Sequence, residues 1–170
     1  YGIQELQTQG GSLAGGYWYP HLSTITGIYD AVSALHSVMD TTEWNEWKEN
    51  HSSLAENVLV RLWTDYEGEA GFKENPYSTD ADLKSTSKGL WLVNQFNLAS
   101  TFDVNSLVNY IGSRQDTIGG FQSSIAATFY AVQALAEVDR LDAKDQQLLE
   151  TWLRDCVLDG SKTSNPDLWG

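Results

Sequence analysis

The chain has 170 residues, long enough for one domain with a substantial core. With 23 acidic and 10 basic residues its formal net charge is −13, which excludes a phosphate-backbone partner and reads as solubility. The apolar runs are too short for a transmembrane helix, no signal peptide is recognised, and no membrane insertion is expected.

In chain order, residues 1–22 read as a linker or the end of a preceding repeat, rich in Gly and Gln. The repeat domain is expected over 23–170, as hairpins at about 23–64, 83–115 and 124–157. In the first hairpin Ile25, Ile28, Val32 and Leu35 form one apolar stripe. Leu54, Val58, Leu59, Leu62 and Trp63 form the stripe of the helix that follows, with Thr41 or Thr42 as its cap before Trp44. Asn50-His51-Ser52 is a glycosylation sequon, which matters only in a secreted setting. Pro76 and the stretch 78–82 mark an exposed loop, a place where function often resides.

The second hairpin pairs a helix at 83–96 with one at 104–114, capped by Asp103, with Leu107, Val108 and Ile111 facing inward. The third pairs a helix on which Phe129, Val132, Leu135 and Val138 keep an i, i+3 amphipathic rhythm with one from Ala143. There Leu148, Leu149, Trp152 and Leu153 share a stripe, Asp142 caps and Gly160 ends the helix. The single Cys156 excludes an internal disulfide or a multi-cysteine zinc site and reads as a small buried hydrophobe. The sum is six helices in three antiparallel pairs, with no alternating strand pattern.

A cassette recurs along this pattern: a Gly-aromatic turn, a polar stretch, then a Thr that opens an apolar helix. Its copies are Gly15-Gly16-Tyr17 with Thr24, Gly71-Phe72 with Thr86, and Gly119-Gly120-Phe121 with Thr128; Leu168-Trp169-Gly170 stands where a fourth would begin. The glycine separations, Gly16 to Gly71, Gly71 to Gly120 and Gly120 to Gly170, are 55, 49 and 50 residues. A period of that size marks a repeat architecture, in which one unit cannot bury its apolar face alone. The chain lacks an initiator Met and both ends fall inside the pattern, so it is expected to be a segment of a longer protein.

The phrase from Leu107-Val108-Asn109-Tyr110-Ile111 through Gly119-Gly120-Phe121 to Thr128-Phe129-Tyr130-Ala131-Val132-Gln133-Ala134-Leu135 resembles the prenyltransferase and squalene-cyclase repeat. The resemblance covers most of the chain, above all 68–158. It implies an all-α fold, antiparallel helical hairpins of an α/α toroid, of which three hairpins would make a partial barrel. It identifies architecture more than chemistry.

The family's catalytic positions are occupied by other residues. Protein prenyltransferases hold zinc with an Asp-x-Cys pair and a His before the repeat Thr; here Asp155 precedes Cys156 directly, and Ser23, Ser85 and Ala127 precede the Thr positions. His21 alone cannot make a closed zinc shell. Terpene cyclases protonate substrate with Asp-x-Asp-Asp-Thr; Asp80-Ala81-Asp82-Leu83 is similar, but Lys84 falls at the protonating position, and Asp80 and Asp82 read as N-terminal caps. The opening Tyr1-Gly2-Ile3-Gln4-Glu5 echoes a complement-type thioester site but has no thiol. Glu67, Glu69, Asp80 and Asp82 with Trp63, Tyr66, Phe72 and Tyr77 nearby also have the composition of a carbohydrate-active α/α barrel.

The expectation is a non-catalytic interaction or ligand-binding module on this scaffold, with no catalytic residue, metal or cofactor. The non-catalytic ribophorin-type subunit of oligosaccharyltransferase is a precedent that the resemblance supplies. The alternative is a fragment of an isoprenoid-handling enzyme, a protein prenyltransferase β subunit or terpene cyclase, whose catalytic residues lie elsewhere. The expected surface comprises Trp18, Tyr19, His21, Tyr29, Phe72, Asp80, Asp82, Trp91, Phe121 and Tyr130. The expected partner is a protein, the remainder of a parent chain, or a second copy that closes the toroid. The compartment stays open, with a lean to a secreted or extracytoplasmic setting.

Overall fold

The computed structural model describes residues 24–141 and 143–159, leaving aside the side chains of 143–145 and 157–159. The linker at 1–22, the cassette turns at 15–17 and 168–170, the Asp142 cap and Gly160 lie outside the described residues.

Among the described residues the chain is mostly helical, with a small two-stranded sheet. Its elements are α1 (Ile25–Val38), α2 (Thr41–Leu62), β1 (Trp63–Tyr66), β2 (Glu69–Phe72), α3 (Leu83–Gln95), α4 (Val104–Gly112), α5 (Ile125–Glu137) and α6 (Ala143–Asp159). Helix α3 is central and packs against both α1 and α5. One apolar cluster joins α1, α2, Phe72 and the outer side of α3 through Trp44, Trp47, Leu59, Leu62 and Phe102. A second joins α3, α4, α5 and Leu149 of α6 through Leu90, Leu107, Ile111, Phe121 and Leu135.

The odd-numbered helices begin alike. Thr24, Asp82 and Ser124 are their N-caps, and each side chain accepts the N–H three residues on, at 3.0, 2.8 and 3.3 Å. Aligned on these caps, Ile28, Thr86 and Thr128 occupy one place, so Thr24 is a cap rather than the counterpart of Thr86 and Thr128. The repeat Thr therefore sits one turn inside the helix and does not open it.

From there its hydroxyl holds the aromatic of the same cassette by the backbone. The Phe72 N–H donates to Thr86 Oγ1 at 3.1 Å and the Phe121 N–H to Thr128 Oγ1 at 2.9 Å. Both amides are buried, where leaving them without a partner would cost about 1–3 kcal/mol each. The preceding glycine is a matter of space. A Cβ on Gly71 would stand 2.7 Å from Thr86 Oγ1, and one on Gly120 would stand 2.3 Å from the Trp152 indole.

Several local expectations are corrected. Gly71-Phe72 lies in a β-strand and not in a turn, and Trp63 ends no helix but starts β1, pairing with Phe72 across an antiparallel ladder. The turn is Glu67-Gly68, with φ of 54° and 80°, the two positive values that a type I′ hairpin needs. Helix α2 is capped by Asp40 in a capping box with Glu43, ahead of Thr41 and Thr42. Phe129 faces outward, 60 % exposed, and on α6 the inward stripe is Leu149, Trp152 and Cys156, while Leu148 and Leu153 are exposed. Asn50 of the sequon is exposed on α2.

Candidate functional site

The β-hairpin, the loop before α3 and helix α4 enclose a cleft of about 280 Å³ lined by Thr64, Tyr66, Glu69, Thr79, Asp80 and Arg114, among others. Pleating sends Thr64 and Tyr66 of β1 and Glu69 and Gly71 of β2 to one face, because Thr64 pairs with Gly71 and Tyr66 with Glu69. Gly71, with no room for a side chain, lies on the floor of the cleft.

The wall opposite is set by Tyr110 and Arg114, one helical turn apart. The Tyr110 hydroxyl donates to the Ala81 carbonyl at 2.6 Å, which ties α4 to the entry of α3. The Arg114 guanidinium lies over the Tyr110 ring, its carbon 3.9 Å from the centroid. Arg114 Nη1 donates to Glu69 Oε2 at 2.7 Å and also reaches the Ser113 hydroxyl. The pair is partly solvated on both sides, so it orients Arg114 more than it stabilises the fold.

Burial pushes the Tyr110 hydroxyl above its ordinary pKa of 10.0; the Arg114 cation opposes that shift, and the Asp82 and Glu69 carboxylates add to it. A phenol with a raised native pKa contributes stability that is complete below the unfolded value. That contribution is lost as pH rises through the native one. Wild-type stability is therefore expected to fall more steeply between about pH 9 and 11 than that of Tyr110→Phe, as read by urea midpoints across that range.

The expected surface residues separate. Asp80 lines the cleft and accepts the Thr79 hydroxyl at 2.7 Å, so it is not a helix cap, whereas Asp82 is the α3 cap and also accepts the Ser85 hydroxyl. Phe72 and Phe121 are 0 % and 2 % exposed, core residues rather than surface, because the Thr bonds to their amides turn the rings inward. Tyr29 and Trp91 meet edge-to-face at 5.0 Å between α1 and α3, with Lys88 over the Tyr29 ring. Tyr130 is half-buried against Phe129. Trp18, Tyr19 and His21 lie outside the described residues. Thr64, Tyr66, Glu69, Tyr110 and Arg114 were missing from the expected surface. The nearest signal was the acid-aromatic composition around 63–82, which contained Tyr66 and Glu69 but neither Tyr110 of α4 nor Arg114 just after it.

A second feature is the outward side of α5. On α1, Tyr29 and His36 turn toward α3. In the matching places on α3, Ser87 donates to Gln133 of α5 at 3.0 Å, and Asn94 donates to Glu137 at 2.8 Å. The same places on α5, counted from its cap, are Phe129 and Ala136; both are exposed, as is Ala126 a turn earlier. A shallower depression of about 400 Å³ lies along α2, lined by Met39, Glu43, Glu46, Trp47, Asn50 and His51. There the His51 ring stacks on Trp47, and its Nδ1 lies 2.7 Å from the Trp47 carbonyl oxygen.

Among the described residues no three His, Cys, Asp or Glu side chains gather as a metal group, and no helix is long and apolar enough to cross a membrane. No protein-family model, curated protein or solved structure matches this chain.

Proposed function

We propose that this chain is a non-catalytic interaction module built on an α/α toroid-type helical repeat, and that the outward side of α5 is its contact surface. The observation that supports this is the shared register of α1, α3 and α5. Two of the three helices use the fifth and twelfth residues after the cap to meet the next helix, and α5 presents the same two places, Phe129 and Ala136, to solvent.

The occupant is α1 of a second copy. On α1 the places matching Trp91 and Gln133, which receive the preceding helix in α3 and α5, belong to Ser33, followed a turn later by Ser37. Both are small, Ser33 half-buried and Ser37 exposed, so Phe129 can lie against them without a clash. Two copies joined at both ends in this way form a closed two-fold ring, which leaves no apolar edge in water. Sedimentation velocity is expected to show a dimer. Phe129→Glu is expected to shift it to monomer with an unchanged circular-dichroism spectrum, since the site is 60 % exposed in one copy. A folded wild-type monomer at micromolar concentration sinks the reading.

A further inference from the structure

We propose that the cleft between the β-hairpin, the loop before α3 and α4 binds a neutral saccharide ring, with Tyr66 as the stacking face and Arg114, Glu69 and Asp80 as the polar anchors. The site is distinct from the α5 surface and does not depend on self-association.

The first support is the balance of charge and hydrogen-bonding capacity. Among the described residues every side-chain hydrogen bond of Arg114 leaves from Nη1, so its Nη2 amino group and Nε–H keep their donors. Among the described residues the Glu69 carboxylate is engaged through Oε2 and that of Asp80 through Oδ2, so each keeps an acceptor oxygen. One cation and two carboxylates thus line one small cleft. An anion entering it meets two carboxylates, and a cation meets the guanidinium. A neutral polyol, whose hydroxyls donate and accept at once, satisfies both kinds of group, and adjacent hydroxyls suit the two-pronged Nη2 and Nε edge of the guanidinium.

The second support is the Tyr66 ring. It is 73 % exposed at the rim, although it belongs to a paired strand, and no other ring among the described residues packs on it. An aromatic face beside polar anchors takes the C–H face of a sugar ring, with the apolar and polar parts of the residue used together. The third support is size. At about 280 Å³ the cleft falls just below the range of about 300–1,000 Å³ that holds larger ligands, which selects a single ring or the end of a chain. Gly71 and Ala81 both line it, and a Cβ on Gly71 would meet Ala81 and Thr86 within 3 Å.

The test is a titration of the isotope-labelled full chain, followed by NMR shifts, with the methyl glycosides of glucose, galactose and mannose and with N-acetylglucosamine as probes. At least one probe is expected to shift the amides of 64–71, 79–81 and 110–114. Tyr66→Ala, at a site exposed enough to leave the fold intact, is expected to weaken that probe about tenfold. Glu69→Gln keeps the shape, removes one anchor charge and is expected to weaken it as well. No shift with any probe up to its solubility limit overturns the proposal. So do shifts outside the cleft, Tyr66→Ala binding as tightly as wild type, and binding of tetramethylammonium in place of the sugars.

Discussion

Phe72→Ala is expected to destabilise the fold by about 3–5 kcal/mol, read as a lowered urea midpoint. The ring is fully buried and sits where three elements meet. It packs edge-on against Trp63 of β1 at 5.1 Å, tilted against Phe102 at 5.3 Å, and close against Gly89 of α3. Removing it opens a void bounded by a hairpin, a helix and a loop, which cannot all close in together. The glycine beneath gives the sharper test. Gly89 lies in the interior of α3, where alanine alone would favour the helix by about 1 kcal/mol. Here a Cβ would stand 2.3 Å from the Phe72 ring, so Gly89→Ala is expected to cost about 1–3 kcal/mol by overpacking. In the Phe72→Ala background that clash is gone and the same change stabilises. A double-mutant cycle is therefore strongly non-additive, and additive values would refute the account of Gly89 as a seat for Phe72.

The second large effect is expected at Trp152. It is 1 % exposed and forms, with Leu149 and Cys156, the stripe by which α6 docks. Its indole lies over Gly120, directly before the aromatic that Thr128 holds. Trp152→Ala is expected to cost about 3–5 kcal/mol and to release α6 first, so amide exchange in 146–156 accelerates ahead of α3. The indole N–H has no hydrogen-bond partner among the described residues. Trp152→Phe therefore loses packing without stranding a polar group and is expected to cost clearly less. Unchanged exchange in Trp152→Ala would mean that α6 is held by something other than this stripe.

These two sites explain the cassette in physical terms. Gly71-Phe72 and Gly120-Phe121 carry the same signature in sequence and do the same job: the amide of each aromatic is held by a Thr one turn inside the next odd-numbered helix. Their glycines differ in what crowds them, a hydroxyl from the helix in one copy and an indole from α6 in the other. The chain segments that carry them differ as well. The first is a paired strand, and the second makes a single bridge between Gln115 and Phe121.

The amino-acid sequence by itself determined the helices and their order, because each carries its own period and several carry a legible cap. The stripe Ile25, Ile28, Val32 and Leu35 and the caps Asp82 and Asp103 stand where the periodicity places them. The β-hairpin was illegible because its strands are four residues each, too short for an alternation to register, and its turn is Glu-Gly rather than Asn-Gly or Asp-Gly. Which face of α5 and α6 turns inward was decided by tertiary structure. Apolar residues surround α5 and form a broad stripe on α6, and only the neighbours select Leu149 and Trp152 over Leu148 and Leu153. The cleft was decided the same way. Glu69 and Arg114 lie 45 positions apart and have no shared signal in the sequence, and only the packing of α4 on β2 brings them to 2.7 Å. Local periodicity writes the elements into the chain, whereas a site built across elements exists only once they are packed.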